Sequence, residues 1–472
     1  MDFSNFLLMN QEAGLMLVFL ILLVYDIFAS GKVWLQLTAC LLFAVHTAAG
    51  FLFPSVGTAF GGMYVSTEMT VLMKNIMNIG TLIVLMQSGA WLRSEENSQK
   101  QGEFYVITFA TLLGMYLMIS AGNFLLLYIG MEISALPLAC LAAYNKHREK
   151  SAEAGAKYIL ISVLASGVMM FGISYLYGAM GTLYFTDMTP LVSMSPMTIM
   201  GLVFFFAGIA FKVSIVPFHL WTADVYEGAP TGITAYLSVV SKAAAAFVLM
   251  FALWHVFGAI VYIWHWILWA LAVATIVIGN LFAIRQTDIK RFFAYSSISQ
   301  AGYILLGIMS GTADGMASTV YFVLVYLFSN LAVFGVIAAV ENASGRTDIA
   351  AYDGFFKTNP RLTFVMMIAV FSLGGIPPFA GFFSKFFIFA AAASEGEYLL
   401  VFIALVNTVI SLYYYLLIIK AMFINQPSEQ PITTIRTDSY NKLSLLLCSV
   451  CVLFVGLFSN IYDYIHGMST GM

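Results

Sequence analysis

The chain has 472 residues, of which 61% are hydrophobic and 9% charged. Soluble domains carry charge on about a quarter of their positions, so this chain cannot wet a soluble surface and the bilayer must be its main solvent. That excludes a cytosolic enzyme, a secreted domain and a nucleic-acid binder, and a formal net charge of −3 offers nothing to a polyanion.

The apolar runs are continuous rather than alternating, which excludes a closed β-barrel. They predict an all-α polytopic membrane protein. A window of about 19 residues places fourteen transmembrane helices near 14–30, 33–53, 70–92, 104–120, 122–144, 154–178, 198–220, 231–257, 259–284, 296–311, 314–341, 361–393, 398–424 and 441–464. Asp2 and Glu12 precede the bulk of the first run and no Lys or Arg does, so that run reads as a retained span rather than a secretory signal.

In chain order, Lys74 lies in the third segment and Lys157 in the sixth, each about one turn from a predicted end, where snorkelling to the interface competes with function. Glu132 is central to the fifth segment, five residues before Pro137. Lys212 is deep in the seventh, followed by Pro217 and His219. Lys242 is twelve residues into the eighth, on a face shared with Thr234, Ser238 and Ser241. The twelfth segment is too long for one straight span, and Gly374-Gly-Ile-Pro377-Pro378 interrupts it before Lys385. The thirteenth carries a stripe of Asn407, Ser411 and Tyr415, and Cys448-Ser-Val-Cys451 in the last reads as small apolar side chains, not a metal or redox motif.

Each lysine at mid-bilayer costs roughly 3 kcal/mol. One carboxylate, Glu132, cannot neutralise Lys212, Lys242 and Lys385 together, so static salt bridges leave two unpaired. Broken helices at mid-membrane are tolerated where protein or water satisfies the backbone, and they mark ion sites. The residues therefore point to a function that needs titratable groups at mid-membrane, with Pro217, Pro377 and Pro378 as helix breaks in segments 7 and 12.

Fifteen of the 20 basic residues, Lys32, Arg93, Arg148 and Lys290 among them, fall in one set of alternate loops and none in the other. The positive-inside rule then sets both termini outside the cytoplasm. Segments 4–8 and 9–13 each hold five spans, an odd number that makes the second an inverted copy of the first. The stretches from Gly208 and from Gly375 correspond in position more than in sequence. Four parts follow: a three-helix segment 1–103, repeat units 104–257 and 258–424, and a C-terminal helix 425–472.

Phe211-Lys212-Val-Ser-Ile-Val-Pro217-Phe-His219-Leu-Trp221-Thr-Ala-Asp224-Val-Tyr226-Glu227-Gly-Ala-Pro230-Thr closely resembles the antiporter-like membrane subunits of respiratory complex I. So do Asp288-Ile-Lys290-Arg291-Phe-Phe-Ala-Tyr-Ser-Ser297-Ile and Ser372-Leu-Gly-Gly-Ile-Pro377-Pro. Lys385 stands where subunit M has a Glu, and the tail after the last span is too short for the lateral helix of subunit L. Gly232 replaces the family's Pro after Ala-Pro-Thr. The resemblance implies that Glu132 and Lys212 form the ion pair of a first half-channel, that Lys242 relays, and that Lys385 serves a second half-channel, with Lys157 and His219 secondary on the same axis. It implies partner subunits K and M, with FMN, Fe–S clusters and quinone in partner subunits and no cofactor in this chain. It also implies a place in the bacterial cytoplasmic membrane. The alternative is a subunit of a multi-subunit sodium/proton antiporter without redox partners.

Overall fold

A computed structural model describes residues 4–28, 34–427, 432–458 and 460–470. Lys32 and the facing ends of the first two expected spans lie outside the described residues.

Thirteen described helices are long and apolar enough to cross a membrane. They include α1 (Asn10–Phe28), α2 (Leu35–Leu52), α3 (Glu68–Leu92), α4 (Gln101–Ile119), α5 (Phe124–Ala142), α6 (Glu149–Met180) and α7 (Pro196–Val213). A short helix α8 (Leu220–Gly228) precedes α9 (Thr231–Val256), α10 (Val261–Ala283), α11 (Ile289–Ser310) and α12 (Ala313–Ser344). The helices α13 (Pro360–Gly374) and α14 (Ala380–Ser394) are 15 residues each and together fill the expected twelfth span, broken between them. Then come α15 (Tyr398–Phe423), α16 (Ser439–Leu457) and α17 (Asn460–Ser469). One antiparallel hairpin, β1 (Gly57–Ala59) and β2 (Tyr64–Ser66), joins α2 to α3 and adds two short strands to the otherwise helical described residues.

Boundaries depart from the hydropathy reading where polar first turns are tucked inside. The tenth span begins at Ile289, not 296, because Asp288 caps it by accepting from Lys290 N at 2.9 Å and Arg291 N at 3.0 Å. The seventh ends at Val213 rather than 220, and the last at Leu457 rather than 464, with α17 a separate helix.

The centre is built from α11 and α12, each 94% buried over the spanning window, and α9, 89% buried. The helices α6 and α15 are 33% buried and face outward. Polar and apolar faces alike are enclosed in the centre, so amphipathic periodicity is weak there.

The two five-span units share fine detail. Asn123 caps α5 and bridges Tyr184, and Asp288 caps α11 and bridges Asp348. The next helix in each, α6 and α12, has 32 residues and ends on a left-handed glycine, Gly181 (φ 72°) and Gly345 (φ 69°). The fourth member breaks in one register, Ser214-Ile-Val-Pro217-Phe218 against Gly375-Ile-Pro-Pro378-Phe379, with φ 67° at Ser214 and 81° at Gly375. Ile215 N donates to Ala210 O and Ile376 N to Phe371 O, both at 3.0 Å. This register replaces the pairing of Gly208 with Gly375. Lys212 therefore belongs to the helix before its break, and Lys385 to the helix after.

Candidate functional site

The break after α7 leaves carbonyls that the helix no longer uses. Trp221 Nε1 donates to Phe211 O at 3.1 Å, and Thr275 of α10 accepts from Val216 N at 3.1 Å. Lys212, in the last turn of α7 and 5% exposed, is held in this frame. Its ammonium donates to the Tyr158 hydroxyl of α6 at 3.1 Å and lies 5.6 Å from that ring's centroid.

Glu132 is not in contact with it. No oxygen of Glu132 comes within the 4.0 Å of an ion pair with Lys212, and Glu132 Oε1 is buried without a protein partner. The direct pair expected from the resemblance is thus not made here, and the side-chain oxygen that Lys212 reaches is the Tyr158 hydroxyl.

Lys242 follows a π-helical turn, Leu237–Ser241, which rotates the helix face around it. Its ammonium donates to Ser297 Oγ at 2.6 Å and Ser297 O at 3.0 Å, and Tyr326 donates to the same Oγ at 2.9 Å. On the backbone register set by Asn123 and Asp288, Ser297 stands in the second unit where Glu132 stands in the first. Tyr326 also lines a cavity of about 10 Å³, with Gln300, Ser329, Ser372 and Lys385. That volume holds about one water. Lys385 donates to Leu373 O at 2.9 Å and sits 5.0 Å from the Tyr303 ring centroid. Ser329 donates to Ser372 Oγ at 2.7 Å, which in turn accepts from Gly381 N, so the break between α13 and α14 is tied by side chains. Tyr415 joins the same region through Ser296 and Gln300.

The structure therefore brings Lys242 and Lys385 onto one polar line through Ser297, Tyr326 and the cavity. The Tyr226 hydroxyl is buried without a protein partner, as are those of Ser214 and Thr222 near the first break. Buried polar atoms of this kind call for water. Among the described residues none of the three core ammoniums has a carboxylate partner; each is held by hydroxyl or carbonyl oxygens.

Two secondary residues lie elsewhere. Lys157 is not on the axis: its side chain is 38% exposed and pairs with Glu153 at 2.5 Å and Asp224 at 2.6 Å. The sixth span starts at Glu149, earlier than hydropathy suggested, and carries this lysine's head to a charged rim. Arg291 bridges Asp224 at 2.6 Å and Glu227 at 3.1 Å there, and Lys150 reaches Glu227 at 2.8 Å. Burial of Asp224 opposes its charge, but hydrogen bonds from Lys157 and Arg291 outweigh it and hold the carboxyl below the usual range. Glu227 is held low against its burial in the same way by Lys150 and Arg291. His219 is half-buried ahead of α8, with Nδ1 unpartnered, and makes no hydrogen bond to Lys212.

Sequence reading missed three partners: Tyr158, Ser297 and Tyr326. Each was one hydroxyl among many on an apolar helix. For Lys74, where snorkelling and function competed, the structure decides against snorkelling. Lys74 is 1% exposed and pairs with Glu12 at 2.6 Å.

Residues 121–411 match the family described as NADH:quinone oxidoreductase/Mrp antiporter, TM. The chain is 58% identical to NADH-quinone oxidoreductase subunit N of Azobacteroides pseudotrichonymphae, covering 100% of this chain and 99% of that one. It is 53% identical to the subunit N of Phocaeicola vulgatus, over 98% of each chain. Among solved structures, a chain of respiratory complex I from Thermus thermophilus superposes with a TM-score of 0.81 at 29% identity, over 95% of this chain and 97% of that one. A chain of the Mrp complex from a Dietzia species has a TM-score of 0.88 at 20% identity, over 100% and 97%, a likeness of fold alone. This multi-pass membrane chain belongs to the NADH-quinone oxidoreductase subunit N family.

Proposed function

We propose that the chain is the proton-translocating, antiporter-like membrane subunit of respiratory complex I, in which NADH:quinone electron transfer in other subunits drives protons along its mid-membrane lysines. The observation that supports this is the row of three enclosed ammoniums, Lys212, Lys242 and Lys385, each held by neutral oxygens. Oxygen ligands of this kind can give up and retake a proton's hydrogen bond without breaking an ion pair.

In this reading units 104–257 and 258–424 are two half-channels, flanked by the segment 1–103 and the helix 425–472. A carboxylate beside an ammonium keeps the pair ionised; once they part, an uncompensated charge is left in the core. Approach of Glu132 to Lys212, displacing Tyr158, is the loading state, and their separation sends the proton through Tyr226 and Ser297 to Lys242. Lys242 passes it by way of Tyr326 and the small cavity to Lys385. Lys157 and His219 act at the margin, Lys157 by ordering the charged rim. Pro217, Pro377 and Pro378 keep the helices open at both lysine sites. Partners are the other membrane-arm subunits, K and M among them, and FMN, Fe–S clusters and quinone belong to partner subunits. Both termini face away from the cytoplasm of a bacterial inner membrane.

Lys212→Ala tests this. The complex should assemble and oxidise NADH through its peripheral arm while moving fewer protons per NADH in sealed vesicles; an unchanged ratio would refute the role. A colourless assembly on native purification, without flavin or Fe–S absorbance, would favour the sodium/proton antiporter instead.

A further inference from the structure

Resting on that reading, we propose that the buried Glu12–Lys74 pair is a second proton-transfer site, set where α1 and α3 begin and connected to α9 by one polar side of α3. The pair is closed on itself. Lys74 Nζ lies 2.6 Å from Glu12 Oε1 and donates to the Tyr64 hydroxyl at 2.9 Å, while Tyr64 donates to Glu12 Oε2 at 3.0 Å. The two charged side chains are 1% and 3% exposed. As glue this is a poor arrangement, because desolvation of two ions offsets most of their attraction and apolar residues pack as well. As a titratable site it is well formed.

Lys74, Asn78 and Thr81 follow one another at helical spacing on one side of α3, and all three are enclosed. Asn78 Oδ1 accepts from the Tyr116 hydroxyl, which is also 3.2 Å from His46 Nε2, and the Tyr116 ring centroid lies 5.5 Å from Lys74 Nζ. Asn78 Nδ2 is buried without a protein partner. Further along, the Tyr236 hydroxyl of α9 lies beside Thr81 and bonds Thr111 at 2.8 Å. Tyr236 precedes Lys242 by about one and a half turns. At the other end Glu12 and Lys74 occupy the first two turns of their helices. Beside them Gln11 and His46 line a groove of about 440 Å³ between α1 and α2, and Gln11 Oε1 is a second unpartnered buried atom.

The transfer balances at one proton in and one out. The ammonium passes its proton across 2.6 Å to the Glu12 carboxylate, which leaves a neutral amine and a neutral acid. The amine takes the incoming proton from the Asn78 side, and the acid releases its own towards the surface where the helices begin. The ion pair is then restored.

Two variants of the intact complex in sealed vesicles test it, with Lys385→Met as the reference. Lys74→Arg keeps the ion pair but cannot release its proton. Glu12→Gln with Lys74→Met removes both charges and leaves a neutral, similarly sized pair. Protons moved per NADH should fall in both variants towards the Lys385→Met value, while complex size and peripheral-arm NADH oxidation hold. A wild-type ratio in either variant, with Lys385→Met impaired, overturns the site. Loss of assembly in both makes the pair structural and also overturns it. A wild-type ratio in Lys385→Met strikes at the underlying function instead.

Discussion

The ammonium of Lys385 on α14 donates to the carbonyl oxygen of Leu373 on α13, 2.9 Å away across the break. One half of the span supplies the charge and the other an acceptor that an unbroken helix would have used itself. Lys385→Met should therefore assemble and keep NADH oxidation while proton movement per NADH falls. Lys385→Arg should keep the contact to Leu373 and remain impaired, because a guanidinium does not release its proton. Full pumping in the Arg variant would show that charge alone suffices.

Ser297 offers Lys242 two oxygens, and the hydroxyl also ties in Tyr326. Ser297→Ala leaves the carbonyl. The charge-assisted hydrogen bond lost is worth about 1.5–3 kcal/mol, so proton transfer should slow by roughly tenfold or more without being abolished. Proton-flux kinetics at fixed NADH oxidation would read this, and an unaltered rate would remove Ser297 from the path.

Gly381 begins α14 against the end of α13, and a Cβ there would fall on the Ser372 carbonyl. That neighbour is backbone and cannot swing aside. Gly381→Ala should destabilise the chain by about 1–3 kcal/mol, seen as a lower Tm in detergent. An unshifted Tm would mean the two halves move apart freely.

Ser214 holds a left-handed conformation, φ 67° and ψ 39°, that its counterpart Gly375 adopts without a side chain. Its hydroxyl is also buried without a partner. Ser214→Gly should stabilise the fold by about 1 kcal/mol, and Ser214→Val should do the reverse. Thermal unfolding compares them; a lower Tm for the glycine variant would contradict the strain.

At the charged rim, Asp224 is held below the usual carboxylate range by Lys157 and Arg291 despite its burial. A carboxyl depressed on folding adds stability above its unfolded value, about 3.9, and that stability is lost as pH falls through the folded value. Asp224→Asn should thus be less stable than wild type by about 1 kcal/mol near neutral pH, and the gap should close below about pH 4. A gap independent of pH would mean that shape, not charge, holds the rim.

Spans, breaks and core charges were legible because each is a local property. Hydropathy over one turn after another marks a helix that must cross lipid, and Pro217 and the 374–378 stretch mark where it cannot stay regular. Three lysines in apolar runs announce themselves by their cost. Partners were not legible, because they come from far along the chain. Lys212 meets Tyr158 54 residues away, Lys242 meets Ser297 at 55, and Lys74 meets Glu12 at 62. Composition and order along the chain alone thus determined a bundle of membrane helices with protonatable groups at its centre. Which oxygen each ammonium touches, that Glu132 stands apart from Lys212, and that Lys74 turns inward were decided by packing, since a hydrogen bond is made or lost within a few tenths of an ångström, a precision that only the assembled helices impose.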